Sequence, residues 1–171
     1  SDSAIAHWKR ALLWFCKVLT YRDGNRLILK SPPHTGRVRV LLEMFPDARF
    51  IHIVREPCRL YVSTVSMWRK MYVSQGLQQP PRCEGLEDYV LDTLEQMYSA
   101  LEASRAEIPP QQLYEVRYED LVAQPMETLR AMYEHLDLDD FASGMQPRLN
   151  EFLAAEPPYE TNEYDIEPAI R

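Results

Sequence analysis

Apolar residues recur at helical spacing near the start of the chain, with Ile5, Trp8, Leu12, Phe15 and Leu19 on one stripe. This predicts an amphipathic helix over 4–19, ended by the turn-forming RDGN at 22–25. The pattern then becomes short and aliphatic. RLILKS at 26–31 predicts a strand over 27–31, PPHTG breaks it, and RVRVLLEMF predicts a helix before PDAR turns the chain into a second strand over 49–54. A strand–helix–strand unit with so short a crossover implies parallel strands with a right-handed connection. Near-continuous apolar strands imply a sheet covered on both faces.

Pro57 opens the next predicted helix, which runs to about residue 72 and is followed by the polar SQGLQQPPRCEG. Leu86, Val90, Leu94, Met97 and Leu101 form the stripe of a long helix. A third strand is predicted over 112–117, within QQLYEVRY, then a helix from Pro125 through METLRAMYEHL and a short one around PRLNEFLAA. A tail rich in Pro and Tyr completes the chain. Alternating strands and helices make the expected class α/β, and 171 residues at 46% hydrophobic composition suit a single domain over 1–171.

Charge changes the picture more than composition does. Residues 1–72 carry 13 Lys and Arg against 5 Asp and Glu, whereas residues 73–171 carry 6 against 21, within a net charge of −7. An anionic ligand is therefore drawn to the first half. The basic residues are dispersed rather than gathered into a stripe with aromatics, which argues against nucleic acid and favours a small phosphorylated ligand. No apolar stretch in the chain approaches a membrane span. Cys16, Cys58 and Cys83 have neither metal-ligand spacing nor a disulfide pattern, so no metal site is expected.

In an open parallel sheet, ligands bind beyond the carboxyl ends of the strands. Arg55 ends the strand RFIHIV, and Pro57 then starts a helix whose N–H groups and positive dipole end are expected to face the same crevice. Ser63 lies about two turns along that helix, so a guanidinium and a hydroxyl can share one phosphate. A plain alternative stays open: an arginine paired with a nearby carboxylate and a serine on a solvated face.

FPDARFIHIVREPCRLYVSTVSMW resembles the 3′-phosphate-binding segment of sulfotransferases that use 3′-phosphoadenosine 5′-phosphosulfate, in which a serine follows eight residues after a strand-ending arginine. LILKSPPHTGRVRVLLEMFPDAR is similar to the LKSPxH strand and helix of the broad, largely bacterial-type family. YEVRYEDLVAQPMETLRAMYEHLDL is similar to its Tyr-Glu-Asp-Leu strand end, and YETNEY extends the likeness to residue 164. The resemblance implies a three-layer P-loop-like fold with a central parallel sheet flanked by helices. It also implies the phosphosulfate nucleotide as donor substrate, a small-molecule or carbohydrate acceptor carrying a hydroxyl or amine, and no metal. Arg55, Ser63 and Tyr118 then hold the nucleotide, and Lys30 and His34 are the catalytic candidates.

Lys30 ends its predicted strand and by resemblance neutralises charge on the sulfuryl or bridging oxygen. His34, in the turn beyond, is a candidate base, with a helix-capping histidine as the alternative. In the cytosolic sulfotransferases the base histidine stands two residues after the lysine, where this chain has Pro32, so His34 follows the broader family's pattern only. His52 reads as a core or cleft-lining histidine, and Glu119 and Asp120 as a strand-end pair supporting nearby backbone.

The family's 5′-phosphosulfate loop, a turn resembling PKSGTT, has no counterpart among the isolated Gly24, Gly36, Gly76, Gly85 and Gly144. The expectation is a partial sulfotransferase domain, incomplete at its N-terminal side and by itself deficient in catalysis. Two other classes remain for comparison. A P-loop kinase requires a phosphate loop and Mg²⁺ carboxylates that the sequence does not show, and a non-catalytic nucleotide-binding or interaction module requires neither. The compartment follows the family branch: cytoplasmic if bacterial-type, Golgi lumen if an anchor lies upstream. The loop over 73–85 and the tail from 156 are candidates for shaping the acceptor pocket.

Overall fold

A computed structural model describes residues 2–77 and 83–155. Helix α1 spans Asp2–Arg22, and an irregular segment leads from it to a 3-10 turn, Pro32–Arg37, and α2, Val38–Met44. Strand β1, Phe50–Val54, passes through Arg55 and Glu56 into α3, Pro57–Gln75. Helix α4 covers Leu86–Arg105, and a second 3-10 turn, Pro110–Gln112, delivers β2, Leu113–Arg117. Three helices follow: α5, Tyr118–Ala123; α6, Pro125–His135; and α7, Gln146–Ala155, the last preceded by a π turn at Phe141–Met145.

The two strands pair in parallel, with Phe50 opposite Leu113, His52 opposite Glu115 and Val54 opposite Arg117. Side chains alternate between faces, so Phe50 and Leu113 turn toward one layer and Tyr114 and Val116 toward the other. The first layer is a core of Val38, Leu101 and Ile108, with Leu42 beside them. Helix α6 supplies the second, where the His135 ring lies 5.3 Å from that of Tyr114 and its Nε2 reaches the carbonyls of Pro110 and Leu113. This is the expected α/β arrangement of helices on both sides of a parallel sheet. A satellite core of Val65, Leu86 and Val90 joins α3 to α4. Close approach also fixes the first 3-10 turn: a Cβ on Gly36 would stand 3.4 Å from Met97 Cγ of α4.

Two expectations are corrected. Residues 27–31 form no strand, because a strand exists only where a neighbour completes its hydrogen-bond ladder, and none pairs with it among the described residues. Ile28, 90% exposed, shows that this segment is not packed as a sheet member. Nor is the sheet covered evenly: Ile51 and Ile53 of β1 remain 45% and 52% exposed, because α6 packs against β2. No helix among the described residues is long and apolar enough to cross a membrane. Residues 78–82 of the 73–85 loop, and the tail from 156 with its YETNEY, lie outside the described residues.

Candidate functional site

Parallel pairing brings the carboxyl ends of β1 and β2 to the same edge, so the residue after each strand is placed beside the other. Those residues are Arg55 and Tyr118. The Arg55 guanidinium lies over the Tyr118 ring, Cζ 4.6 Å from the centroid, a cation–π contact that orients the fork without neutralising it. Arg55 is half-buried, and its Nε–H is closed off from solvent with no acceptor among the described residues. A buried donor without a partner is costly unless a ligand supplies the acceptor. The carboxylate pairing left open for Arg55 is therefore not made at this nitrogen.

The start of α3 departs from expectation. The Glu56 side chain folds over its own helix and accepts from the N–H groups of Cys58, at 3.1 Å, and Arg59, at 2.7 Å. Those bonds, the one from Arg59 foremost, hold its carboxyl below the usual carboxylate range. The Glu56 N–H itself donates to Glu119 Oε1 at 3.4 Å, Pro57 has none to give, and the Leu60 N–H closes the first helical turn on Glu56 O. Backbone donors at residues 56–60 are thus engaged within the protein. An anion at this edge must be held by side chains, not by the helix N-terminus.

Three residues before Arg55 and Tyr118 stand His52 and Glu115, directly opposite each other in the sheet. His52 is almost covered, its side chain 11% exposed, with Nδ1 3.0 Å from Glu115 Oε1 and its ring edge-on to Tyr98 at 5.7 Å. An ionised carboxylate only accepts, so His52 Nδ1 carries the proton. Arg105, at the end of α4, grips the same carboxylate with both terminal nitrogens, at 2.8 and 2.9 Å, and also binds Glu102. Chiefly through Arg105, and against the opposing effect of burial, the Glu115 carboxyl is pushed down to about 2. His52 is a cross-strand tie, in keeping with a core or cleft-lining role.

Ser63 is half-buried on α3, six residues beyond Pro57. Lys30 is exposed in the irregular segment before the 3-10 turn, so no ladder fixes its place relative to Arg55. His34 is half-buried in the 3-10 turn, where it meets α1: its ring is edge-on to Trp8, centroids 6.4 Å apart, while the Arg37 guanidinium lies 5.1 Å from the same indole. Burial, then the charge of Arg37, lowers the His34 pKa and keeps the imidazole neutral at pH 7. Neither the 3-10 turn nor α2 has a side-chain cap, which removes the capping role considered for this histidine. Its Nδ1 is buried and unpartnered among the described residues.

The structure thus joins Arg55 to Tyr118 and leaves Lys30 and His34 on a separate stretch held by α1 and α4. Reading the sequence alone missed the self-cap by Glu56, the His52–Glu115–Arg105 tie and the Trp8 contact. The two strand ends did carry a signal, because His-Ile-Val-Arg-Glu at 52–56 and Glu-Val-Arg-Tyr-Glu at 115–119 set a polar residue, a ligand candidate and a glutamate at matching intervals.

The chain is similar to known proteins. The chain is 43% identical over 159 residues to the omega-hydroxy-beta-dihydromenaquinone-9 sulfotransferase Stf3 of Mycobacterium bovis, and equally to that of Mycobacterium tuberculosis. Each alignment covers 93% of this chain, which spans 40% of the length of those relatives. The crystal structure of sulfotransferase STF9 from Mycobacterium avium superposes with a TM-score of 0.65 at 22% identity, over 81% of this chain and 36% of that one, and shows the same fold. With residues 3–143 also matching the model of the sulfotransferase family, the chain belongs to that family.

Proposed function

We propose that these residues grip the 3′-phosphate end of 3′-phosphoadenosine 5′-phosphosulfate, within a longer protein that transfers the sulfuryl group to an acceptor hydroxyl. The observation that carries this reading is Arg55: stacked on Tyr118 at the strand ends, it has a buried Nε–H with no acceptor among the described residues. A phosphate oxygen meets that need, the Tyr118 ring offers a face to the nucleotide, and the Ser63 hydroxyl adds a second contact from α3.

The donor supplies a sulfuryl group activated by its bond to phosphate. In transfer, an acceptor oxygen–sulfur bond forms as the sulfur–oxygen bond to the 5′-phosphate breaks, and the electron pair leaves with that phosphate. Lys30 offsets the charge that develops there. His34, kept neutral by burial and Arg37, takes the acceptor proton through Nε2 rather than the buried Nδ1. The 5′-phosphosulfate end is held by parts of the protein beyond these residues, consistent with relatives more than twice as long. For the acceptor we take the class named in the relative 43% identical, a hydroxyl on a lipophilic quinone-derived molecule.

Calorimetry on the full-length protein tests the donor assignment. Adenosine 3′,5′-bisphosphate should bind selectively over adenosine 5′-monophosphate, and Arg55→Ala should weaken the bisphosphate about ten- to hundredfold while leaving the monophosphate nearly unchanged. Equal affinity of the wild-type protein for the two nucleotides would overturn the assignment.

A further inference from the structure

The contact between Glu119 and the backbone of Glu56 ties the two strand ends together at the residues that follow Arg55 and Tyr118. Arg55 must lie over a ring carried by the other strand, yet the last registered pair in the sheet is Val54 with Arg117. Beyond that pair the ladder no longer sets the spacing, and the chains diverge into α3 and α5. The Glu56 N–H, accepted by Glu119 Oε1, is a hydrogen bond that continues the connection past the sheet. Arg117 Nε lies 4.0 Å from the other oxygen, Glu119 Oε2.

We infer that Glu119 is a positioning residue: by accepting from the Glu56 N–H it holds Arg55 over Tyr118 in the geometry that receives the 3′-phosphate. This rests on the reading of Arg55 and Tyr118 as the 3′-phosphate site. Glu119 does not touch the nucleotide, and its own negative charge would oppose an anion if charge were its contribution. What matters is an acceptor oxygen at Oε1. Binding groups held slightly out of place lose affinity although every ligand contact residue is still present.

The test compares Glu119→Ala with Glu119→Gln in the full-length protein. The glutamine keeps an acceptor oxygen and discards the charge. Adenosine 3′,5′-bisphosphate is titrated against adenosine 5′-monophosphate by calorimetry, and donor KM and kcat are measured in parallel. Glu119→Ala should weaken the bisphosphate about fivefold and raise donor KM by a similar factor, with the monophosphate and kcat little changed. Glu119→Gln should stay within about twofold of wild type.

The inference is overturned if the alanine variant keeps full bisphosphate preference, if the glutamine variant loses as much as the alanine, or if both nucleotides weaken together as they would in a merely destabilised protein. Should the alanine variant fail to fold, the glutamine variant still decides: a loss beyond about twofold makes the charge, not the acceptor, the essential property. A wild-type protein with no preference for the bisphosphate would instead refute the underlying site assignment.

Discussion

Replacing Glu115 by glutamine removes the charge at the centre of the tie between β1, β2 and α4 while keeping the side chain's size. The carboxylate accepts from both terminal nitrogens of Arg105 and from His52 Nδ1, and its pKa falls from the ordinary 4.5 to about 2. A displacement of that size would correspond to about 3 kcal/mol for a group wholly removed from water. The side chain is 39% exposed, however, and solvent screening reduces the expected contribution to about 1 kcal/mol. Because the folded-state pKa is depressed, this stability is complete above the ordinary carboxyl pKa and is lost as pH falls from about 4.5 toward 2.

Glu115→Gln should therefore lower the melting temperature by about 2–4 °C at pH 7 and by the same amount at pH 5.5. The difference between the two proteins should shrink at pH 3.5 and continue to close below it. Thermal unfolding followed by circular dichroism in matched ionic strength measures this directly. Identical melting temperatures at pH 7, or a gap that persists unchanged to pH 3, would refute the reasoning, since neither is compatible with an ionised carboxylate held by Arg105.

Other outcomes follow from the same geometry. A double-mutant cycle with Arg55→Lys and Tyr118→Leu should show a coupling of about 0.5–1 kcal/mol in bisphosphate binding, measured by calorimetry, and additive effects would mean that the stacked pair does not act as a unit. If His34 is the base, the acid limb of kcat/KM in the full-length protein should lie below pH 6.5, and Arg37→Gln should move it upward; an unmoved limb would assign the proton elsewhere. Leu101→Ala, emptying the core between α4 and the sheet, should cost about 2–5 kcal/mol in urea unfolding. Gly36→Val should loosen the 3-10 turn from α4 and increase hydrogen exchange there, whereas unchanged protection would show that Met97 yields without effect.

Strand β1 and helix α3 were legible because their signals are local: an aliphatic run, then a proline suited to a first helical turn. The placement of Arg55 followed from the general rule for strand ends, but Tyr118 came only from resemblance, since nothing in a lone sequence says which two strands are neighbours. Residues 27–31 have the same aliphatic character as β1 and yet form no strand, because the ladder depends on a partner that local pattern does not contain. The helix terminus misled for a related reason. Pro57 advertises open N–H donors, whereas Glu56, a residue type not favoured for capping, turns back to satisfy them. Lys30 and His34 were found as residue types, but their distance from the strand ends is a tertiary quantity.

Arg55 and Tyr118 each stand three residues after one member of the His52–Glu115 pair, so the site is measured by residue count along two separate stretches of chain. Substitutions among the intervening residues leave that count intact, whereas deletion or insertion of one residue in a single strand would shift its ligand by about 3.3 Å and reverse the side to which it points. The same change made in both strands at once would restore the match in length. Variation in this stretch should accordingly be nearly absent in length, the opposite of what surface loops tolerate.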